Sequence, residues 1–218
     1  ILLNDEKKGF LSIDNYKEIE ALFNWPDCFI IGPGLSLYAE SIELIEKILK
    51  NFKGNCIIDA SGLLALNNFS KNGFSKTPKK AILTPHYREL AKILNISNNE
   101  LRDNTIDILR DVSKKLEDRI LVLKGPNTII VNGHGEMHIL SNGNRLLSTA
   151  GTGDILTGII SAYTAAGYSL EESAIISSYI HAECSNLFLK NESENISASQ
   201  IIKLIPKVQF RLRADCDI

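Results

Sequence analysis

The stretch Gly151-Thr152-Gly153-Asp154 stands at the head of an apolar helical pattern. Two glycines let the main chain turn sharply and approach a ligand without side-chain clashes. The amides of Thr152, Gly153 and Asp154 would then form a concave donor site at a helix start, suited to a phosphate or a developing negative charge. Asp154 is the unusual member, because a carboxylate there repels phosphate unless it has a task. It could take the proton of a substrate hydroxyl as that oxygen attacks phosphorus. It could equally be a first-turn acid that favours the helix dipole. The local residues leave both roles open. No Walker lysine followed by Ser or Thr is present, and no GxGxxG.

Further candidates follow other strand-like runs. Lys124-Gly125-Pro126-Asn127-Thr128 offers a lysine that can neutralise phosphate and a glycine that lets the backbone come close; a solvated loop lysine is the alternative. In Thr84-Pro85-His86, proline ends a strand and His86 opens a helix with Glu89 one turn on, so His86 either meets a ligand or caps the helix. Gly32-Pro33-Gly34 and Asp59-Ala60-Ser61 occupy matching positions. Asn142 to Asn144 and Ser148-Thr149, just before the glycine loop, could bind ribose or base, or only shape the turn. His134 and His138 are four apart in a hairpin, about 13 Å along a strand and too far for one metal. His181 lies in an apolar stretch and reads as a packed core histidine.

These residues need a frame that brings strand ends together. Cys28 to Ile31, Asn55 to Asp59, Ala81 to Leu83 and Ile120 to Leu123 read as buried strands. Thr128 to Val131 and Glu136 to Ile139 read as a hairpin around Asn132-Gly133. Helices are expected from Ser36 as cap to about Phe52, over Gly62 to Asn67, His86 to Leu94 and Asn99 to Leu116. Two long ones follow, Gly151 to Ala166 and Leu170 to Leu189. Ile42, Ile45, Ile48 and Leu49 form one stripe, and the last helix is apolar on nearly every face. The end, Arg211 to Cys216, reads as an exposed tail. Alternation of continuous apolar strands with helices predicts an α/β fold, a mostly parallel sheet covered on both faces in three αβα layers. In such a sheet ligands bind beyond the carboxyl ends of the strands.

The 218 residues suffice for one α/β domain over the whole chain, 1–218. The 26 acids and 24 bases leave a net charge of −2, which points to neither nucleic acid nor an acidic tail. The four cysteines form no CxxC pair and read as free thiols in a reducing compartment. No apolar run reaches the ~20 residues of a membrane span, and the charged stretch Asp5 to Lys8 is unlike a signal peptide. A cytoplasmic protein is expected.

Taken together, Gly32-Pro33-Gly34-Leu35, Ile58-Asp59-Ala60, Leu83-Thr84-Pro85-His86 with Glu89, Lys124-Gly125 with Thr128, and Gly151-Thr152-Gly153-Asp154 with Gly158 resemble one family in order and spacing. It is that of the ADP/ATP-dependent NAD(P)H-hydrate dehydratases, a branch of the ribokinase-like superfamily. The resemblance covers roughly residues 28 to 190. It implies repair of NAD(P)H hydrated on its nicotinamide ring, with ADP or ATP phosphorylating the added hydroxyl and phosphate then eliminated. By matching position, Asp154 would be the base and contact the hydrate. Gly34 and His86 would also line the hydrate site. Lys124, Gly125, Pro126, Asn127 and Thr128 would hold the adenine nucleotide with Gly153, beside Gly151 and Thr152. Mg2+ is expected on the nucleotide, without a carboxylate cluster dedicated to it, and a homo-oligomer is expected. The departures are Ala150 before Gly151, Tyr87-Arg88 for a small pair, and Leu146-Leu147-Ser148 for a glycine- and alanine-rich stretch. The resemblance also implies a glycine-rich strand–helix–strand unit ahead of Ile1-Leu2-Leu3, outside this chain. The alternatives are a small-molecule kinase of the same superfamily, acting on a sugar or hydroxymethylpyrimidine, and a non-catalytic nucleotide-binding module.

Overall fold

The structure is a computed structural model that describes residues 3, 5, 9–66, 74, 77–191 and 195–216. Among them, six strands form one sheet in sequential order: β1 (Cys28–Ile31), β2 (Asn55–Ile58), β3 (Ala81–Leu83), β4 (Ile120–Leu123), β5 (Thr128–Val131) and β6 (Met137–Leu140). The first four run parallel, and β5 and β6 are antiparallel additions.

Strand side chains alternate between faces, and the core divides accordingly. Cys56, Ile58, Leu83, Leu121 and Val131 point to one side. Ile57, Ile82, Ile120, Val122 and Ile130 point to the other. Burial on both sides explains why the strands read as unbroken apolar runs.

The first face is covered by α1 (Tyr16–Glu20), α2 (Ala39–Asn51), α3 (Ser61–Leu64), α4 (Tyr87–Leu94), α5 (Asn98–Asp103) and α6 (Thr105–Ser113). The second is covered by α7 (Thr152–Ala165) and α8 (Leu170–Asn191), through Leu156, Ile160 and Ala174. Beyond these lies α9 (Ala198–Cys216), whose Ile201 and Val208 join Ile180, Cys184 and Phe188 of α8 in a further apolar cluster. The described helices between β1 and β2, β2 and β3, and β3 and β4 lie on the first face, and because these strands run parallel their carboxyl ends, with the loops that follow them, gather along one edge.

Several expectations need correction. The residues Arg211 to Cys216 are the last turns of α9, not a free tail, and Leu212 packs against the α8 cluster. The helix expected over Asn99 to Leu116 is broken at Asn104 (φ −123°, ψ 30°), where the Thr105 hydroxyl donates to the Leu101 carbonyl at 2.8 Å. Ser36 does not cap α2; Tyr38 holds that place, and the Ser36 hydroxyl pairs with that of Ser41 at 2.7 Å. The short helix ends at Leu64, and Asn67 lies outside the described residues. The short 3-10 turn Ile13–Asn15 and α1 were not anticipated.

Candidate functional site

The turns after β1 and β2 meet at very close range. A Cβ added at Gly32 (φ +120°) would lie 1.8 Å from the Asp59 carbonyl oxygen. Only glycine fits there. Ala60, next to Asp59, is held at φ +47°, ψ −121°, a conformation that costs a non-glycine residue and is found where a functional geometry demands it. The result is a fixed direction for the Asp59 side chain. It is 2% exposed, and its two oxygens accept from Lys124 Nζ at 2.7 Å and from the Thr157 hydroxyl at 3.0 Å.

Lys124 begins the tight turn between β4 and β5. Its amide donates to the Pro85 carbonyl at 2.8 Å, so the Thr84-Pro85-His86 segment and the Lys124 turn are tied together. Its ammonium group is therefore not the solvated loop lysine of the alternative reading. It is half of a largely buried ion pair, and a Cβ added at Gly153 would lie 3.5 Å from it. Asp59 thus binds both the lysine and, through Thr157, the helix whose first turn carries Gly153.

At the head of α7, Gly151 is the N-cap at φ +85°, a left-handed position that glycine takes at no steric cost. The Thr152 hydroxyl donates to the carbonyls of Leu147 and Thr149 at 2.7 and 2.9 Å, which anchors the turn. Asp154 is exposed, and its carboxylate has no hydrogen bond or ion pair among the described residues. First-turn amides that lack an intrahelical acceptor remain available to an anion.

A cavity of about 740 Å³ opens between the Lys124 turn, the head of α7, the 142–148 loop and α8. It brings together His86, Lys124, Gly125, Pro126, Thr128, Thr152 and Gly153 of the expected residues. Gly34, Asn127, Gly151 and Asp154 are not in its wall. Gly34 is exposed in the turn after β1, at φ +73° with open space where a Cβ would go. His86 does cap α4. Its Nδ1 accepts from the Glu89 amide at 3.1 Å while the Glu89 carboxylate accepts from the His86 amide at 2.8 Å. A ring nitrogen that accepts carries no proton, so in the neutral ring the proton sits on Nε2, leaving a donor for the cavity. Capping and lining are compatible.

Asp59, singled out by its place at a strand end, lies behind the wall and anchors Lys124. Three wall residues, Arg102, Ser178 and His181, escaped sequence reasoning as site residues. Arg102 enters from α5, stacked on the Tyr87 ring with its Cζ 4.7 Å from the centroid. Ser178 and His181 enter from α8 with buried polar atoms that have no partner among the described residues, the Ser178 hydroxyl and His181 Nε2. His181 is buried as expected, yet it borders the cavity instead of only packing the core. Burial, with the Lys124 charge nearby, pushes its pKa down to about 4 against a hydrogen bond to the Thr152 main chain, so the ring is neutral. Asn142 of the 142–148 loop, singled out in the sequence, is fixed by its amide donating to Glu183 at 2.9 Å, and its side-chain oxygen has no partner among the described residues.

Against this geometry the comparisons with known proteins are informative. The sequence model of the NAD(P)H-hydrate dehydratase family matches residues 10–207. This chain belongs to the NAD(P)H-hydrate dehydratase family. The bifunctional NAD(P)H-hydrate repair enzyme Nnr of Dictyoglomus turgidum is 30% identical over 205 residues, 92% of this chain and 39% of that protein. The chain therefore spans about two fifths of that relative. The ADP-dependent (S)-NAD(P)H-hydrate dehydratase of Bacillus subtilis is 27% identical over 184 residues, 83% of this chain and 63% of that protein. The crystal structure of ADP/ATP-dependent NAD(P)H-hydrate dehydratase from Bacillus subtilis, co-crystallized with ATP/Mg2+ and soaked with CoA, superposes with a TM-score of 0.75 at 25% identity. That match covers 91% of this chain and 72% of that one. The expected αβα arrangement with a mostly parallel sheet is the fold of this family.

Among the described residues, no helix is long and apolar enough to cross a membrane, and no three His, Cys, Asp or Glu side chains gather to hold a metal. Asp59, the buried carboxylate of the site, has both oxygens engaged. The donor set fits Mg2+ carried on nucleotide phosphates with water, which is how that ion is commonly bound, better than a protein-built cage.

Proposed function

We propose that this chain dehydrates hydrated NAD(P)H at the expense of ADP or ATP, by phosphorylation of the added hydroxyl and elimination of phosphate. The observation that carries the proposal is the cavity whose wall joins the Lys124 to Thr128 turn to Gly153 at the head of α7. In a member of this family such a wall is suited to an adenine nucleotide, its phosphates between Lys124 and the Gly153 and Asp154 amides, the Thr152 amide being already donated to the Thr149 carbonyl at 3.3 Å. Pro126 and Asn127 shape the turn, and Mg2+ on the phosphates would offset their charge. The Bacillus subtilis relatives named for ADP and ATP support this reading.

The hydrate is taken to bind at the rim of this cavity, against Asp154 and Gly34 outside its wall and His86 within it. Asp154 takes the proton from the hydrate hydroxyl while that oxygen attacks the terminal phosphorus, and the nucleotide leaves one phosphate shorter. Hydroxide is a poor leaving group and phosphate a good one. The second step breaks the ring C–O bond, phosphate departs with the electron pair, and loss of the neighbouring ring proton restores the double bond. The amides at the α7 start stabilise negative charge as it builds on the transferring group. Asp59, through Lys124 and Thr157, holds these donors in place before substrate arrives.

Crystals soaked with ADP provide the test. Phosphates seated on the Gly153 and Asp154 amides beside Lys124 are expected. Nucleotide bound elsewhere, or absent at millimolar concentration, overturns the proposal.

A further inference from the structure

Tyr87 follows His86 in place of the small residue expected from the family resemblance. Its ring lies over Gly125, where an added Cβ would stand 2.6 Å from a ring carbon. Gly125 therefore does more than free the backbone; its bare face receives the tyrosine. On the same ring rests the guanidinium of Arg102, with Cζ 4.7 Å from the centroid. Arg102 comes from α5, an element otherwise remote from the strand-end motifs, and it lines the same cavity as Lys124, Gly125 and Gly153. Its guanidinium has no hydrogen bond or ion pair among the described residues.

We infer that Arg102 is a second phosphate ligand of the nucleotide site, aimed into the cavity by the Tyr87 ring that Gly125 admits. The inference rests on the nucleotide reading of the cavity and deepens it. Three physical points support it. A guanidinium presents five donors in a planar fork that matches phosphate oxygens, and among the described residues no acceptor competes for them. Stacking on an aromatic face limits the rotamers of a long side chain, so less entropy is lost when the ligand binds. Lys124 is already neutralised by Asp59, at 2.7 Å, so the cavity wall has only part of that charge to offer an anion. A polyphosphate needs another cation, and Arg102, stacked on the ring that lies over Gly125, supplies one.

The experiment is calorimetric titration of the intact chain and four variants with ADP and with adenosine. Arg102→Ala is expected to weaken ADP binding about ten-fold or more, the range of a hydrogen-bonded charge, and to leave adenosine binding unchanged. Arg102→Lys restores part of the loss. Tyr87→Phe keeps the platform and behaves like the parent. Tyr87→Leu removes it and weakens ADP several-fold. The side chain of Arg102 is exposed, so its substitutions do not threaten the core. ADP affinity within about two-fold of the parent in Arg102→Ala overturns the inference. So does an equal loss for ADP and adenosine, which would place Arg102 on the base. If the parent chain itself binds no ADP, the nucleotide reading fails, and this inference with it.

Discussion

Acid should destabilise this protein through one residue, His181. Its pKa falls from the ordinary 6.5 to about 4, because the ring is buried. The unfolded chain therefore takes up this proton as pH drops below 6.5, while the folded chain does not until about 4. Stability is insensitive to this group above neutrality, declines as pH falls through that window, and levels off below it. At ~1.4 kcal/mol for each pH unit of displacement, the full loss is about 3 kcal/mol, of which about 2 kcal/mol is gone by about pH 5. Carboxylates titrate in the lower part of the same window, so the parent alone is not decisive. The comparison is denaturant unfolding of the parent and His181→Asn across about pH 4.5 to 7.5. The difference in unfolding free energy between the two isolates the histidine, and it should narrow by about 2 kcal/mol on going from neutral to about pH 5. Parallel curves would show that His181 is not held neutral and that its burial beneath Thr152 is misjudged.

Other residues make separate tests. Gly32→Ala should lose more than about 3 kcal/mol of unfolding free energy, because its Cβ would enter the Asp59 carbonyl and φ +120° excludes alanine; a soluble variant of parental stability contradicts this. Gly153→Ala sits in the helix first turn and should gain or keep stability, by up to about 1 kcal/mol. Its methyl group, 3.5 Å from Lys124 Nζ, should weaken ADP binding, and calorimetry would reveal undiminished affinity if it does not. Asp59→Ala leaves Lys124 and Thr157 without their shared acceptor. A loss of about 2 to 3 kcal/mol in chemical denaturation is expected, less than for a fully buried pair because Lys124 keeps some water.

Much of the frame was legible. The strands are unbroken apolar runs because both faces are covered, and each expected strand from Cys28 to Leu140 is present within a residue or so. The strand-end motifs converge because parallel crossovers place them on one edge. What escaped notice depends on distance in sequence or on overridden local rules. Asp59 meets Lys124 across 65 residues, and nothing near either one announces the partner. Helix α9 contains Pro206, which by itself argues for a break, and packing of Ile201 and Val208 on α8 outweighs it. Arg102 looks like an ordinary surface charge of a short helix until the Tyr87 ring beneath it is seen. His181 reads as core from its apolar neighbours, and only the fold reveals that the core ends there at a cavity wall. His86 was read either as a cap or as a ligand residue, and the structure assigns it both the cap and a place in the wall.

The central claim is that Asp154 at the head of α7 serves catalysis, not only the helix dipole. The most direct measurement follows recovery of the nicotinamide absorbance band when hydrated NADH is mixed with ADP or ATP and the protein, parent against Asp154→Asn. The account predicts nucleotide-dependent recovery with the parent, and loss of that recovery in Asp154→Asn while ADP still binds as tightly or more tightly. Undiminished recovery with the asparagine variant would contradict it.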